Sequence, residues 1–202
     1  MGNNADSNRL FTQWQDQLYQ ARERTLERSE RDGNLIEVTA QSHLVAGEFP
    51  NSAFKARLDL AMRLYEELRT GGSVRIYVSG DAKSAKDNAS LSKAGCDYLR
   101  KRGVPSYALF DDEASLMFGS GSDAESPADG CRIAIRLFEM LGYGHFHCVC
   151  QPARLMDKAL SYIRLGYVPL MHSVPCDGTG DDYVKEMFVI VPRLLMEGAE
   201  TH

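Results

Sequence analysis

Short apolar runs alternate with amphipathic helical patterns along most of this chain of 202 residues, and this alternation is the strongest constraint on its fold. Helical patterns cover about residues 51–70, 88–101, 127–141 and 153–165. The predicted strands between and around them are Leu35–Ala40, Val74–Val78, Ser106–Phe110, His145–Cys150 and Tyr167–His172. Alternation at these lengths is typical of βαβ units, whose crossover helices cover both faces of a parallel sheet. We therefore predict an α/β fold, a three-layer Rossmann-like sandwich with a mainly parallel sheet of about five strands.

The composition is that of one ordinary globular domain. Hydrophobic residues make up 44% of the chain and charged residues 25%, which is typical of soluble proteins. Neither an internal repeat nor a linker interrupts the pattern, so we predict a single domain over residues 1–202. It comprises an N-terminal helical extension at 8–31, a core at 34–175 and a C-terminal helix at 183–197.

The net charge and the hydropathy of the chain argue against two classes of partner, nucleic acids and membranes. The formal net charge of -5 argues against a general nucleic-acid binder, because contact with phosphates needs a concentrated basic surface. No apolar run reaches the ~18 residues of a membrane helix, so no membrane partner is expected. The first residues also lack the basic and apolar regions of a signal peptide. Five scattered cysteines indicate reduced thiols rather than a disulfide framework, which favours the cytoplasm.

The segment Asn8–Arg31 reads as one long polar helix. Its apolar stripe is narrow and consists of Leu10, Trp14, Leu18 and Leu26. Such a helix either lies across the domain or meets a second subunit, and the second alternative predicts a homodimer through this helix.

The clearest indication of a functional site is the turn Ser79-Gly80-Asp81, which follows the apolar run Val74–Val78 directly. In an open α/β sheet, ligands bind beyond the carboxyl ends of the strands, where glycine allows close approach to the backbone. Backbone N–H groups and the Asp81 carboxylate are therefore candidates for ligand contact. The alternative is a simple turn in which Asp81 caps the chain, since Asp and Gly both favour turns.

Polar residues at the other predicted strand ends complete the candidate pocket. A small-molecule ligand would be oriented by these groups, and the long segment Asp111–Asp129 would close over it. His43 and Asp81 are the predicted acid–base residues, because a histidine at a strand end can be tuned for proton transfer. The remaining predicted ligand-binding residues are Gln41, Ser42, Ser79, Gly80, Lys83, Asp111, Asp112, Glu113, Gln151 and Arg154.

His145-Phe146-His147 lies in a predicted buried strand beside Cys148 and Cys150. Residues two apart on a strand share a face, so the two imidazoles would be neighbours. No second cluster has the ligand spacing of a structural zinc site. We therefore interpret this run as a core strand with neutral histidines, and we predict no metal ligands.

Several short motifs, in order along the chain, resemble the DUF218 family, the YdcF/SanA/ElyC-type proteins. The matching segments are Arg57–Tyr65 (Arg-Leu-x-x-Ala-x-x-Leu-Tyr), Val78–Gly80, Tyr98-Leu99 with Gly103-Val104-Pro105, and Val149–Ala159 with Leu165-Gly166-Tyr167. The resemblance covers roughly residues 34 to 175. Asp81 stands where the family has a second glycine, and Lys158 is the candidate counterpart of a family arginine.

The resemblance implies a cleft lined by polar residues at the strand ends and a nucleotide-like ligand, S-adenosylmethionine included; it leaves the cofactor unidentified. Our leading hypothesis is a cytoplasmic small-molecule-binding protein that acts as an enzyme on a nucleotide-like or other anionic metabolite. One alternative is a non-catalytic interaction or regulatory protein, because several polar family motifs are changed here. Another is a metal-dependent enzyme that uses the acidic groups at the strand ends.

Overall fold

The structure is a computed structural model, and it describes residues 4–40, 52–80, 91–111, 127–174, 184 and 186–197. The strands are β1 Asn34–Thr39, β2 Val74–Ser79, β3 Leu109–Phe110, β4 His145–Cys150 and β5 Leu170–Ser173. The helices are α1 Asn4–Arg28, α2 Ser52–Leu68, α3 Leu91–Lys101, α4 Pro127–Leu141, α5 Leu155–Arg164 and α6 Val191–Glu197. Short 3-10 turns occupy Ser106–Ala108 and Pro152–Arg154, and a π turn at Glu186–Ile190 precedes α6.

Within these ranges the strands form one parallel sheet in the order β3-β2-β1-β4-β5. β1 lies at the centre, with Val38 in register with Val78 of β2 on one side and with Val149 of β4 on the other. The chain therefore builds outward from β1 in one direction through β3, and then crosses back to add β4 and β5. The fold class predicted from the sequence is confirmed.

Two apolar layers cover the two faces of this sheet. Alternate strand residues such as Ile36 and Val78 pack with α2 and α3. The intervening residues, such as Leu35 and Tyr77, pack with α4 and α5. Because successive residues of a strand point to opposite faces of the sheet, each buried strand contributes side chains to both cores. This explains why the central strands are apolar on both faces.

α1 lies across the outside of the α4–α5 layer. The Arg28 guanidinium donates hydrogen bonds to the carbonyls of Tyr143 (2.8 Å) and Phe138 (3.1 Å), and it stacks over the Phe138 ring. Near the other end of α1, the indole N–H of Trp14 donates to the Leu195 carbonyl of α6 at 3.3 Å. Of the two alternatives for this helix, the structure shows the first, contacts across the domain, and the helix begins and ends a few residues earlier than expected.

Two strands are shorter than the apolar runs suggested. The backbone N–H of Ala108 donates to the Pro105 carbonyl in a 3-10 turn, so only Leu109 and Phe110 pair with β2. Likewise the Tyr167 N–H caps α5, and the Val168 N–H donates to the Thr25 hydroxyl of α1. Because these N–H groups bond elsewhere, they cannot extend the sheet.

Candidate functional site

The sheet order creates a topological switch point between β1 and β4. From β1 the chain continues to β2 on one side, whereas β4 joins β1 on the other side. At such a switch point a ligand crevice typically forms outside the carboxyl ends of the two strands, and we call this position between β1 and β4 the crevice. Ala40 and Gln151 follow the two strand ends at this crevice.

A buried polar network lies directly beneath the crevice, centred on Glu37 of β1. The Glu37 side chain is fully buried and accepts hydrogen bonds from the hydroxyls of Ser79 (2.8 Å) and Tyr162. The Lys158 ammonium lies 3.6 Å from the same carboxyl group. Because every partner of Glu37 is a donor or a cation, the geometry fits an ionised carboxylate, which can only accept.

Lys158 and Tyr162 come from one turn of α5 and share its inward face, being four residues apart. Burial alone would lower the pKa of Lys158, but the neighbouring Cys131 and Glu37 outweigh this effect and raise it well above its usual value. Burial, followed by Cys131 and Glu37, raises the pKa of Tyr162. At neutral pH the lysine is therefore a cation and the tyrosine a neutral donor.

The thiols around Lys158 are unreactive, because burial raises their pKa as it does that of Tyr162. Lys158 Nζ lies 3.4 Å from Cys131 Sγ, yet burial raises the pKa of Cys131. The pKa of Cys148 is raised further by its hydrogen bond with Cys150 and by burial. A nucleophilic cysteine needs a lowered pKa and access to the surface, and the buried Cys131 and Cys148 have neither.

A second buried cation approaches the same strand end from the opposite face of the sheet. Arg57 of α2 is fully buried and donates to the Thr39 carbonyl, to the Thr39 hydroxyl (3.2 Å) and to the Ala53 carbonyl (3.4 Å). Thr39 in turn donates to the Val149 carbonyl of β4 at 3.4 Å. The carboxyl end of β1 is thus held between a buried guanidinium and a buried ammonium.

The rim of the crevice is formed by the turn that follows β4. Pro152–Arg154 forms a 3-10 turn that leads into α5, and the Arg154 N–H donates to the Gln151 carbonyl at 2.9 Å. The Arg154 guanidinium pairs with Asp157 at 2.6 Å, and both side chains are largely buried. This pair holds the arginine at the N-terminal end of α5, beside the crevice.

Five of the residues proposed from the sequence lie in the described part of the chain, and four of them follow the two strands that flank β1. Ser79 and Gly80 end β2 beside β1, while Gln151 and Arg154 follow β4. Gly80 has a φ of +153°, and a Cβ added there would lie 2.6 Å from the Cβ of Ala40, so only glycine fits. Asp111 follows β3, three strands from β4, or about 14 Å across the sheet.

The other proposed residues lie outside the described part of the chain, and their candidacy stays a prediction. They include both acid–base candidates and most of the acidic group after β3. These residues are Gln41, Ser42, His43, Asp81, Lys83, Asp112 and Glu113.

Sequence reasoning missed Glu37 and Tyr162, and it noted Arg57 and Lys158 only through the resemblance. A usable signal was present, because Glu37 interrupts the apolar run Leu35–Val38 on a strand that is buried on both faces. An ionisable residue in such a run must be paired. Lys158 and Tyr162 at helical spacing on an inward face supply the pairing.

The histidine prediction is confirmed for His147. Its ring nitrogens lie 3.1 Å from His172 Nε2 and 3.1 Å from the Asn34 side-chain oxygen. Burial first, then the neighbouring His172 and His145, lowers the pKa of His147 to about 4, so it is neutral near pH 7. In the described residues no group of three or more His, Cys, Asp or Glu side chains has the geometry to hold a metal ion.

Comparison with other proteins adds no functional assignment. No family model, curated protein or solved structure matches this chain. Among the described residues, no helix is both long and apolar enough to cross a membrane.

Proposed function

We propose that the chain binds a small anionic ligand of the nucleotide class in the crevice between the carboxyl ends of β1 and β4. The observation that carries the proposal is the buried network of Glu37, Ser79, Lys158 and Tyr162 beneath this crevice. Buried ionisable groups at the mouth of a sheet are more typical of sites than of cores.

The charges around the strand ends favour an anion. Around the carboxyl ends of β1 and β4 the described groups comprise the cations of Arg57, Lys158 and Arg154 and the carboxylates of Glu37 and Asp157, whereas Asp111 lies farther away at the end of β3. One positive charge is therefore in excess, in a region where burial weakens solvent screening. An arginine at the rim also suits bidentate contact with phosphate or carboxylate.

The resemblance in the short motifs supports a more specific proposal, which names a family and a ligand. Arg57, Leu58, Ala61 and Tyr65 of the first motif form the inward face of α2, and the Val78–Gly80 motif ends β2 beside the crevice. On this basis we extend the proposal to a cytoplasmic DUF218-type protein whose ligand is a nucleotide or S-adenosylmethionine. Turnover of that ligand would use His43 and Asp81 in acid–base roles.

Thermal unfolding in the presence of candidate ligands tests the proposal. The panel contains adenosine and guanosine nucleotides, S-adenosylmethionine and inorganic phosphate, each with and without Mg²⁺. A ligand present at 100 times its Kd stabilises the folded state by about 2.7 kcal/mol, which raises the Tm of a chain of this size by roughly 5–10 °C. The absence of a shift across the panel would contradict the proposal.

Matched arginine variants then locate the site. Arg154→Ala is expected to weaken the binding of the stabilising ligand at least tenfold. Asp81→Ala tests whether the Asp81 carboxylate, which the sequence predicts as a ligand contact, contributes to that affinity. Arg100→Ala is the control, because Arg100 forms the same i,i+3 pair with an aspartate at the other end of a helix, away from the crevice. Equal affinities for the Arg154 and Arg100 variants would refute the proposed position.

A further inference from the structure

A chain of side-chain hydrogen bonds joins three strands on the face of the sheet that α2 and α3 cover. His147 of β4 is in register with Ile36 of β1, which belongs to the core on that face. Its Nε2 atom lies 3.1 Å from the side-chain oxygen of Asn34 in β1, and its Nδ1 atom lies 3.1 Å from Nε2 of His172 in β5. The side chains of β1, β4 and β5 are thus linked through one buried imidazole.

The positions of the hydrogens follow from the Asn34 oxygen, which can only accept a hydrogen bond. Nε2 of His147 therefore carries the hydrogen and Nδ1 is left as an acceptor, so His172 donates to it from Nε2. Each contact has one donor and one acceptor as long as both rings are neutral. If both rings were protonated, two N–H groups would face each other at 3.1 Å, and two positive charges would lie on rings with centroids 5.3 Å apart. The doubly protonated pair would therefore repel.

The described surroundings of the pair contain no carboxylate that could compensate these charges. On β1 the neighbour is the neutral Asn34, and on β4 it is His145, which would add a third positive charge. α2 packs on the same face, and its buried residues include one cation, Arg57, and one neutral phenol, Tyr65. Arg57 binds Thr39, which lies three residues, or about 10 Å, beyond the register partner of His147 along β1. The charged groups around the pair therefore disfavour its protonation.

The pKa values of the two imidazoles reflect this environment. Burial first, then His172 and His145, lowers the pKa of His147 to about 4, and burial lowers the pKa of His172. Both rings are therefore neutral at pH 7. Protons bind more tightly to the same rings in water. A conformation in which the rings separate and become solvated thus gains stability as the pH falls from about 6.5 to 4.

β5 is the strand that separation of the rings would displace. In the described part of the chain it is an edge strand, Leu170–Ser173, that pairs with β4 alone. His147 is 5% exposed on a strand that pairs on both sides, whereas His172 is half-buried. Leu170 on the same face is 53% exposed, so the apolar anchor of β5 is Met171 on the other face. Strands with few buried side chains open at a lower free energy than central strands.

We propose that the His147–His172 pair is a pH-sensitive switch that holds β5 in the sheet near pH 7 and releases it in acid, while β1, β2 and β4 remain paired. Release requires protonation of both rings, and it uncovers the outer backbone edge of β4. The Glu37 network lies on the opposite face of the sheet, since Glu37 alternates with Ile36 along β1 and contacts Tyr162 of α5. The switch is therefore independent of the proposed ligand.

Hydrogen exchange of the full chain, followed by mass spectrometry, tests the release. Exchange rates divided by the intrinsic rate at each pH give a protection factor for each segment. Between pH 7 and pH 4.5 the protection of 170–173 should fall at least tenfold, whereas 34–39 and 74–79 should remain protected at pH 4.5. A β5 segment that keeps its protection, or a simultaneous loss of protection in all three strands, would overturn the proposal.

Two matched glutamine variants assign the release to the pair. His172→Gln is neutral at every pH, and its amide can still donate to Nδ1 of His147, so the acid-induced loss of β5 protection should become at least threefold smaller. His145→Gln removes a titrating group that lies outside the pair, and it should change the loss by less than twofold. Because His172 is half-buried, its replacement leaves the core intact. Equal losses in the two variants would refute the switch.

Nitrogen-15 NMR of the chain with labelled histidines relates the release to protonation. The imidazole shifts of His147 and His172 should titrate over the pH range in which β5 loses its protection, because release and proton binding are coupled. Full protonation of both rings with β5 still protected would contradict the repulsion on which the switch depends.

Discussion

Replacement of Glu37 by glutamine is the sharpest test of the buried network. Glu37→Gln keeps the shape and an oxygen that can accept from Ser79, but it removes the charge that faces Lys158 at 3.6 Å. At an effective dielectric constant of about 20, two unit charges at this distance attract by about 5 kcal/mol. Removal of one partner from a buried ion pair typically destabilises a protein by about 3–5 kcal/mol. We expect a loss of this size in the free energy of unfolding.

Urea denaturation at pH 7 measures this loss, and a double-mutant cycle assigns it to the pair. Lys158→Met alone should lower the free energy of unfolding by less than Glu37→Gln does, because Ser79 and Tyr162 still donate to the Glu37 carboxylate. The combination Glu37→Gln/Lys158→Met should recover most of the stability, since no buried charge is left without its partner. The expected coupling energy is about 3 kcal/mol. A coupling below ~0.5 kcal/mol, or a Glu37→Gln variant as stable as the natural sequence, would refute the ion pair.

Two further predictions concern other parts of the core. Because the folded-state pKa of His147 is about 4 and the unfolded value about 6.5, the unfolded state binds the extra proton first. Stability should therefore fall by roughly 3 kcal/mol as the pH drops from 6.5 to 4, and urea titrations of His147→Phe should show a shallower fall. Gly95→Ala should destabilise by about 1–3 kcal/mol, because its Cβ would lie 2.8 Å from Phe54 and 2.9 Å from Val78. Gly130→Ala, which meets open space in α4, should instead be neutral or stabilising in the same thermal melt.

The architecture was predictable because it depends on periodicity, which a sequence records directly. Alternating apolar residues in β1 and β4 divide between two cores, as their patterns indicated. The ends of β3 and β5 were not predictable from apolar runs. Residues such as Tyr167 and Val168 have suitable side chains, but their N–H groups bond to α5 and α1. Sheet length is decided by these long-range partners, and a local pattern does not contain them.

The candidate site was predictable in position but not in its buried chemistry. Ser79, Gly80, Gln151 and Arg154 follow strands, and the rule for parallel sheets places them at one edge. The network beneath them needs Glu37 and Lys158, which are 121 residues apart in sequence, to meet across two elements. No spacing rule connects residues at that separation, so only the strand order and the crossover reveal the pair.

The place of this network in the fold favours a role beyond stability. A buried ion pair is rarely more stabilising than an apolar pair of similar volume, so stability alone gives little reason for a charged pair at this position. The position of the pair beneath the switch point gives a better reason for its charges. Fixed charges in a region of weak screening act strongly on a bound anion. The double variant Glu37→Gln/Lys158→Met separates the two roles, because it should restore folding without restoring the original charge distribution. If it also bound the stabilising ligand with unchanged affinity, the network would be purely structural, and the proposed ligand contacts would have to come from the rim alone.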